Sequence, residues 1–187
     1  MRLRTLLALA TTLVAFVATG AAAATDKASK QAEVRRATAA ALEKFYKAEP
    51  RIKSEVAKAP GHAVFTSFGV SFIFGGAGGS GIAHDKATKK DVFMSMAQAS
   101  AGVQAGIAQN DVLLVFKTEK ALRDFVDHGW EVGAGATVSG GAGGKSAGGG
   151  GGEEFVNDAL YYTLTKRGLE IGGAVAGTKF WKDKDLN

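Results

Sequence analysis

The sequence contains no cysteine and only 2 prolines among its 187 residues. Without cysteine there can be no disulfide, no thiolate metal site, no cysteine nucleophile and no cysteine-linked lipid anchor. Acidic residues are in a mild deficit of 18 against 23 basic ones, which is not the charge of a dedicated nucleic-acid-binding protein. A hydrophobic content of 46% with 22% charged residues excludes a globally disordered chain.

The first 24 residues have the pattern of an export signal. Arg2 and Arg4 precede an apolar run at residues 6–17, and four alanines at residues 21–24 give a small-residue cleavage site. An uncleaved membrane anchor is the alternative, but alanine and threonine dilute the apolar run. We therefore predict a signal peptide over residues 1–24 and a mature protein that folds without disulfides in a bacterial periplasm.

Residues 25–60, called here the basic arm, are predicted to be helical. Within them, apolar side chains recur at steps of three, four or seven residues: Val34, Ala41, Phe45, Ala48, Ile52 and Val56. Pro50 is expected to kink this run and start a second helix, and Pro60 to close it. Cations at similar spacing form a neighbouring stripe: Lys44, Lys47, Arg51 and Lys58. They fit either a solvated helix face or a surface for anionic lipid headgroups.

Residues 61–187 are predicted to form a β-rich domain with one internal helix. Alternating patterns begin near Val64 and again near Phe93, and a shorter apolar strand starts at Asp111. Thr118 is expected to cap the internal helix and Gly129 to end it. Two more strands flank residues 166–168. The predicted fold class is α+β, with a mainly antiparallel curved or barrel-like sheet, the helical arm and the internal helix.

Glycine, 26 residues in all, imitates two phosphate-binding motifs without completing either. Residues 76–81 match G-x-G-x-x-G, but a strand and turn follow where a dinucleotide site needs a helix. Residues 144–146 resemble the end of a phosphate-binding loop, but Ser139 stands where its first glycine is required. We predict no cofactor, and a flexible loop at residues 139–152.

No catalytic or metal-binding pattern is present in the sequence. His62, His84 and His128 are far apart and have no ligand spacing, and the chain lacks a G-x-S-x-G elbow. Adjacent Glu153 and Glu154 would point to opposite faces of an extended segment. We therefore expect no catalytic residues, no metal ligands and no enzymatic activity.

Three blocks of residues 61–187 together resemble the SYLF domain, also called the Ysc84-type actin-binding domain, in its bacterial exported branch. They lie at residues 72–81, at 102–125 and from 161 to the end, where Lys166-Arg167-Gly168-Leu169 and Gly177-Thr178-Lys179-Phe180-Trp181 stand out. The resemblance implies phospholipid binding, with membrane contact through a basic amphipathic N-terminal segment. Some eukaryotic members bind actin, but actin is not expected as a partner in a bacterial periplasm.

Taken together, the residues and the resemblance predict an envelope protein that binds a phospholipid or membrane surface. The candidate lipid-binding residues are Lys44, Lys47, Arg51, Lys58, Phe45 and Ile52. The alternative is a structural module that binds an envelope protein or peptidoglycan. A third reading, a hydrolase or nucleotide enzyme that uses the glycine turns, is opposed by the incomplete motifs. No nucleic-acid partner is expected.

Overall fold

A computed structural model describes eight stretches of the chain: residues 15–72, 76–99, 110–132, 138–139, 155–156, 158–165, 168–171 and 178–187. The first half of the predicted signal peptide lies outside them, and so does nearly all of the predicted glycine-rich loop at residues 139–152.

Three helices are described: α1 at Ala15–Ala48, α2 at Arg51–Lys58 and α3 at Glu119–His128. Pro50 separates α1 from α2, because it has no N–H to continue the hydrogen bonds of α1 and its ring clashes with the preceding turn, while its φ of −58° suits a helix start. The two-helix arm predicted from the sequence is thus confirmed. None of the described helices is long and apolar enough to cross a membrane.

Within the described stretches, ten strands form one antiparallel sheet that curls on itself. They are β1 (Gly61–Phe72), β2 (Gly76–Asp85), β3 (Lys90–Ala99), β4 (Asp111–Phe116), β5 (Trp130–Val132), β6 (Val138–Ser139), β7 (Phe155–Val156), β8 (Ala159–Thr165), β9 (Gly168–Ile171) and β10 (Thr178–Lys182). Their order is β6-β5-β10-β3-β2-β1-β4-β8-β7, with β9 also pairing with β8. The α+β fold class is therefore confirmed.

The sheet has an apolar layer on each face, as the period-2 alternation requires. On the inner face, Phe65, Phe116, Phe125, Trp130 and Phe180 form an aromatic cluster with ring centroids 4.8 to 6.1 Å apart. Helix α3 supplies Phe125 and closes this face. On the outer face, the basic arm covers a second apolar cluster.

The capping signals of α3 are confirmed at both ends. Thr118 Oγ1 accepts a hydrogen bond from the Ala121 amide at 3.1 Å, and Gly129 follows the helix with φ +69°, where a side chain would be strained. One residue of the predicted apolar stripe is misplaced, because Ala48, the last residue of α1, is exposed. The strand predicted from Phe93 onward is described only as far as Ala99, because residues 100–109 lie outside the described chain.

The glycine-rich segment at residues 76–81 is strand β2, not a phosphate-binding turn. It pairs with β1 on one side and β3 on the other, and a hairpin turn follows it instead of a helix. Its glycines allow close approach of neighbouring groups: a Cβ built on Gly81 would lie 2.5 Å from the Val64 carbonyl oxygen. The rejection of a dinucleotide site is thus consistent with the backbone.

Candidate functional site

The basic arm lies along the outer face of the sheet and is held there by two anchors. Phe45 of α1 and Ile52 of α2 are both 0% exposed and pack with Leu113 and Tyr162 of the sheet. The Tyr162 hydroxyl also donates a hydrogen bond to the Glu55 carboxylate of α2. Burial of one such side chain contributes about 1.5–3 kcal/mol. In this conformation neither anchor is exposed, so the lipid binding predicted for these two side chains requires the arm to leave the sheet.

The four candidate lipid-binding cations of the arm reach solvent on two helices instead of one. Lys44 and Lys47 lie one turn apart on α1, while Arg51 and Lys58 stand at the two ends of α2. All four are exposed. The single stripe predicted from the sequence is thus divided by Pro50 into two pairs.

Two of these cations have carboxylate partners. Lys44 Nζ lies 2.9 Å from the Asp111 carboxylate and Arg51 Nε lies 3.5 Å from that of Glu55. Lys47 and Lys58 form no ion pair within the described part of the chain. Exposed ion pairs contribute only about 0–1 kcal/mol, so all four cations can exchange partners with an anion in solution.

Between α1 and the sheet lies a group of polar residues that we call the histidine cluster: Arg35, His62, His84 and Asp91. His62 on β1 pairs in register with His84 on β2, which in turn pairs with Asp91 on β3. His84 Nδ1 is 2.7 Å from Asp91 Oδ1, and the two imidazole centroids are 5.4 Å apart. Arg35 of α1 donates to the other oxygen of Asp91. The cluster therefore ties the arm to three strands.

Sequence reasoning missed this cluster because it compared the histidines only by their spacing along the chain, and the nearest carboxylate in sequence, Asp85, is not the partner of His84. In a strand, successive side chains point to opposite faces, so Asp85 cannot serve His84. Instead, the Asp85 carboxylate accepts hydrogen bonds from the Ala87 and Thr88 amides in the turn at residues 86–89. The turn at residues 86–89 was the signal that could have predicted the cluster. Its position sets the register of β2 and β3, which places His84 opposite Asp91.

The environment of the cluster shifts two of its pKa values. Burial, with a smaller contribution from the nearby His84, lowers the pKa of His62 to about 4. Partial burial acts to raise the pKa of Asp91, but hydrogen bonds from His84 and Arg35 outweigh it and bring that pKa below the ordinary value. Near neutral pH, His62 is therefore neutral and Asp91 is ionised.

We expect the protein to lose stability in acid through His62. The unfolded chain protonates this histidine near its ordinary pKa of about 6.5, whereas the folded chain does so only at about 4. The stabilisation is therefore complete above about pH 6.5 and falls as the pH drops towards 4, by about 3 kcal/mol in total. Urea unfolding of the wild type and His62→Gln at neutral and acid pH measures this difference.

His128→Gln is the matched control for this prediction, because His128 is exposed at the end of α3. That variant should keep the full acid loss of the wild type. An unchanged pH dependence in His62→Gln would contradict the assignment.

Within the described residues, no group of three or more histidines and carboxylates could hold a metal ion. His84 and Asp91 pair as an imidazole and a carboxylate do in a catalytic triad, but the nearby Thr38 hydroxyl donates its proton to the carbonyl oxygen of Val34 at 2.8 Å. The arrangement suits binding through charge and hydrogen bonds better than nucleophilic chemistry.

Comparison with known proteins gives two findings. The family described as "Ysc84: Las17-binding protein actin regulator" matches residues 97–187, which include β4, α3 and β8 to β10. The chain is also similar to a curated protein, Beta cell expansion factor A of Aeromonas veronii, with 31% identity over 164 residues. That alignment covers 86% of this chain and 60% of the relative. The chain thus spans about 60% of the length of the curated relative it matches.

Proposed function

Because this chain belongs to the Ysc84-type (SYLF) family, we propose that it is a non-enzymatic protein that binds phospholipid at a membrane surface. The observation that carries the proposal is the exposure of Lys44, Lys47, Arg51 and Lys58 on an arm that the sheet holds in place. Each cation close to an anionic surface contributes about 1 kcal/mol. Four such contributions are sufficient for reversible binding that weakens as salt is added.

The mechanism that we propose has two steps. Headgroup phosphates first displace the weak partners of Lys44 and Arg51 and also bind Lys47 and Lys58. Phe45 and Ile52 either remain as anchors, leaving the protein on the headgroups, or enter the acyl region when the arm leaves the sheet. We further propose that this happens on the periplasmic side of a bacterial membrane, after removal of residues 1–24.

Vesicle co-sedimentation of the mature chain from Thr25 onward tests the electrostatic step. We expect binding to vesicles of phosphatidylglycerol and phosphatidylcholine, and much weaker binding to phosphatidylcholine alone. Changing Lys44, Lys47 and Arg51 together to glutamate removes about 3 kcal/mol of attraction, so the affinity should fall at least about a hundredfold.

Lys179, Lys182 and Lys184 together changed to glutamate form the matched control. These lysines are also exposed, and the substitution changes the net charge by the same amount near the C-terminus of the chain, on β10 and just after it. The control should retain most of the affinity of the wild type. Equal losses in both triple variants would indicate an effect of net charge alone. Absence of vesicle binding together with a stable partner in envelope extracts would favour the interaction-module alternative.

A further inference from the structure

An open cavity of about 280 Å³ lies between α1 and the outer face of the sheet. One wall is the histidine cluster, with Arg35, His62, His84 and Asp91. The rest of the lining is mainly apolar and includes Ala39, Leu42, Val64 and Ile82. None of the four arm cations assigned to the headgroups lines it. The cavity therefore joins an apolar wall to a concentrated polar end, as small-molecule sites do.

We propose that this cavity binds a small amphiphile with one aliphatic chain and an anionic head, such as a medium-chain carboxylate. Its volume lies just below the range of about 300–1,000 Å³ that is typical of sites for drug-sized ligands. A phospholipid with two acyl chains is too large for it, whereas a single chain of moderate length fits along Leu42, Val64 and Ile82. The site is separate from the four cations assigned to the headgroups and does not depend on vesicle binding.

Most of the hydrogen-bonding groups that the polar wall still has available are donors. Arg35 binds Asp91 through Nη1 and stacks over Phe93 at 5.0 Å, which leaves further guanidinium N–H groups for a ligand. His62 contacts the His84 ring and makes no hydrogen bond with the described residues. Both oxygens of Asp91 are already engaged, one by His84 and one by Arg35. The wall thus offers N–H groups and needs an acceptor.

Charge balance explains why the head would be anionic and how its binding would depend on pH. The charged and titratable groups facing His62 are Arg35 from α1, His84 from β2 and Asp91 from β3, while β4 places Val115 beside it. The positive charge of Arg35 and the negative charge of Asp91 cancel each other, so a bound anion favours protonation of an imidazole. Burial lowers the pKa of His62 to about 4 in the free protein. The negative charge of the bound anion raises this pKa. The affinity should therefore increase as the pH falls below neutral, by up to about tenfold per pH unit.

Proton NMR of the mature chain tests the proposal, because the sequence holds only 3 histidines. Sodium decanoate, kept below its micelle concentration, should shift the imidazole Hε1 signals of His62 and His84 saturably. The signal of His128, which is exposed on α3, should not move. Acetate supplies the head alone and decanol the chain alone, so each should bind at least about tenfold more weakly. Decanol binding as tightly as decanoate would overturn the anionic head.

A pair of alanines in α1 gives a matched test of location. Ala39 and Ala40 are both exposed on the helix, but only Ala39 lines the cavity. Ala39→Phe should occupy the cavity and weaken decanoate binding at least about tenfold, while Ala40→Phe should leave it unchanged. Equal affinities in the two variants, or no saturable shift of His62, would overturn the site. The triple glutamate variant of the arm should still bind decanoate, so failure of vesicle binding and failure of this cavity are distinguishable.

Discussion

Replacing Phe45 by alanine is expected to lower the free energy of unfolding by about 3–5 kcal/mol. The side chain is 0% exposed and packs in the outer-face cluster with Ala41, Ile52, Leu113 and Tyr162. Removing its ring leaves a cavity that a rigid sheet and a helix cannot fill, so both the burial and the packing are lost. Urea denaturation measures the loss. Hydrogen exchange should show that amides of α1 become less protected than those of β1 and β4.

Lys47→Ala is the control for this experiment, because Lys47 lies on the same helix but points into solvent. Its effect on unfolding should stay within about 0.5 kcal/mol. A loss below about 1 kcal/mol in Phe45→Ala would mean that the arm is not anchored as described. Since the proposed headgroup surface is presented by the docked arm, Phe45→Ala also tests whether membrane binding uses the docked or the released arm.

Gly81→Ala is expected to cost about 1–3 kcal/mol although it adds a single methyl group. A Cβ at this position would lie 2.5 Å from the Val64 carbonyl oxygen and 2.7 Å from Cε1 of Phe65. The carbonyl belongs to strand β1 and cannot move without breaking ladder hydrogen bonds. The stabilisation of about 0.4–1 kcal/mol that alanine can bring through the unfolded chain is smaller than this clash. Thermal and urea unfolding should both show the loss.

Ser80→Ala, one position earlier in β2, is the matched control. Its side chain points to the opposite face and is partly exposed, so the change should stay within about 0.5 kcal/mol. If Gly81→Ala were as stable as the wild type, that result would contradict the claim that close packing requires the glycines of β2. The comparison therefore separates a structural role of this glycine-rich strand from the phosphate-binding role that its pattern imitates.

The secondary structure could be predicted from capping residues, prolines and apolar periodicity, because these signals act between near neighbours in the chain. Thr118 and Gly129 delimit α3 through capping contacts, and Pro50 divides the arm through its own ring. Alternation of apolar side chains identified β1 and β3, and a short apolar run identified β4, for the same reason. The stripe of the arm was right at Phe45 and Ile52 and wrong at Ala48, where the helix ends before the face is completed.

The candidate sites were harder to predict because they join residues that are distant in sequence. The cations of the arm could be named, but their carboxylate partners depend on where the arm docks; Asp111, for example, is 67 positions from Lys44. The cavity requires α1 to lie over a particular part of β1, β2 and β3. Histidine spacing along the chain contains no trace of this arrangement.

The sequence by itself determined the helices, most strand positions, the basic character of the arm and the absence of thiol chemistry. Each of these depends on residue type, on a period of two or 3.6, or on a single proline or glycine. Only the tertiary structure decided that the sheet covers the apolar face with Phe45 and Ile52, and that Arg35, His62, His84 and Asp91 meet. The reason is physical: register and docking are set by the packing of whole surfaces, and one position of slip would move each side chain to the other face.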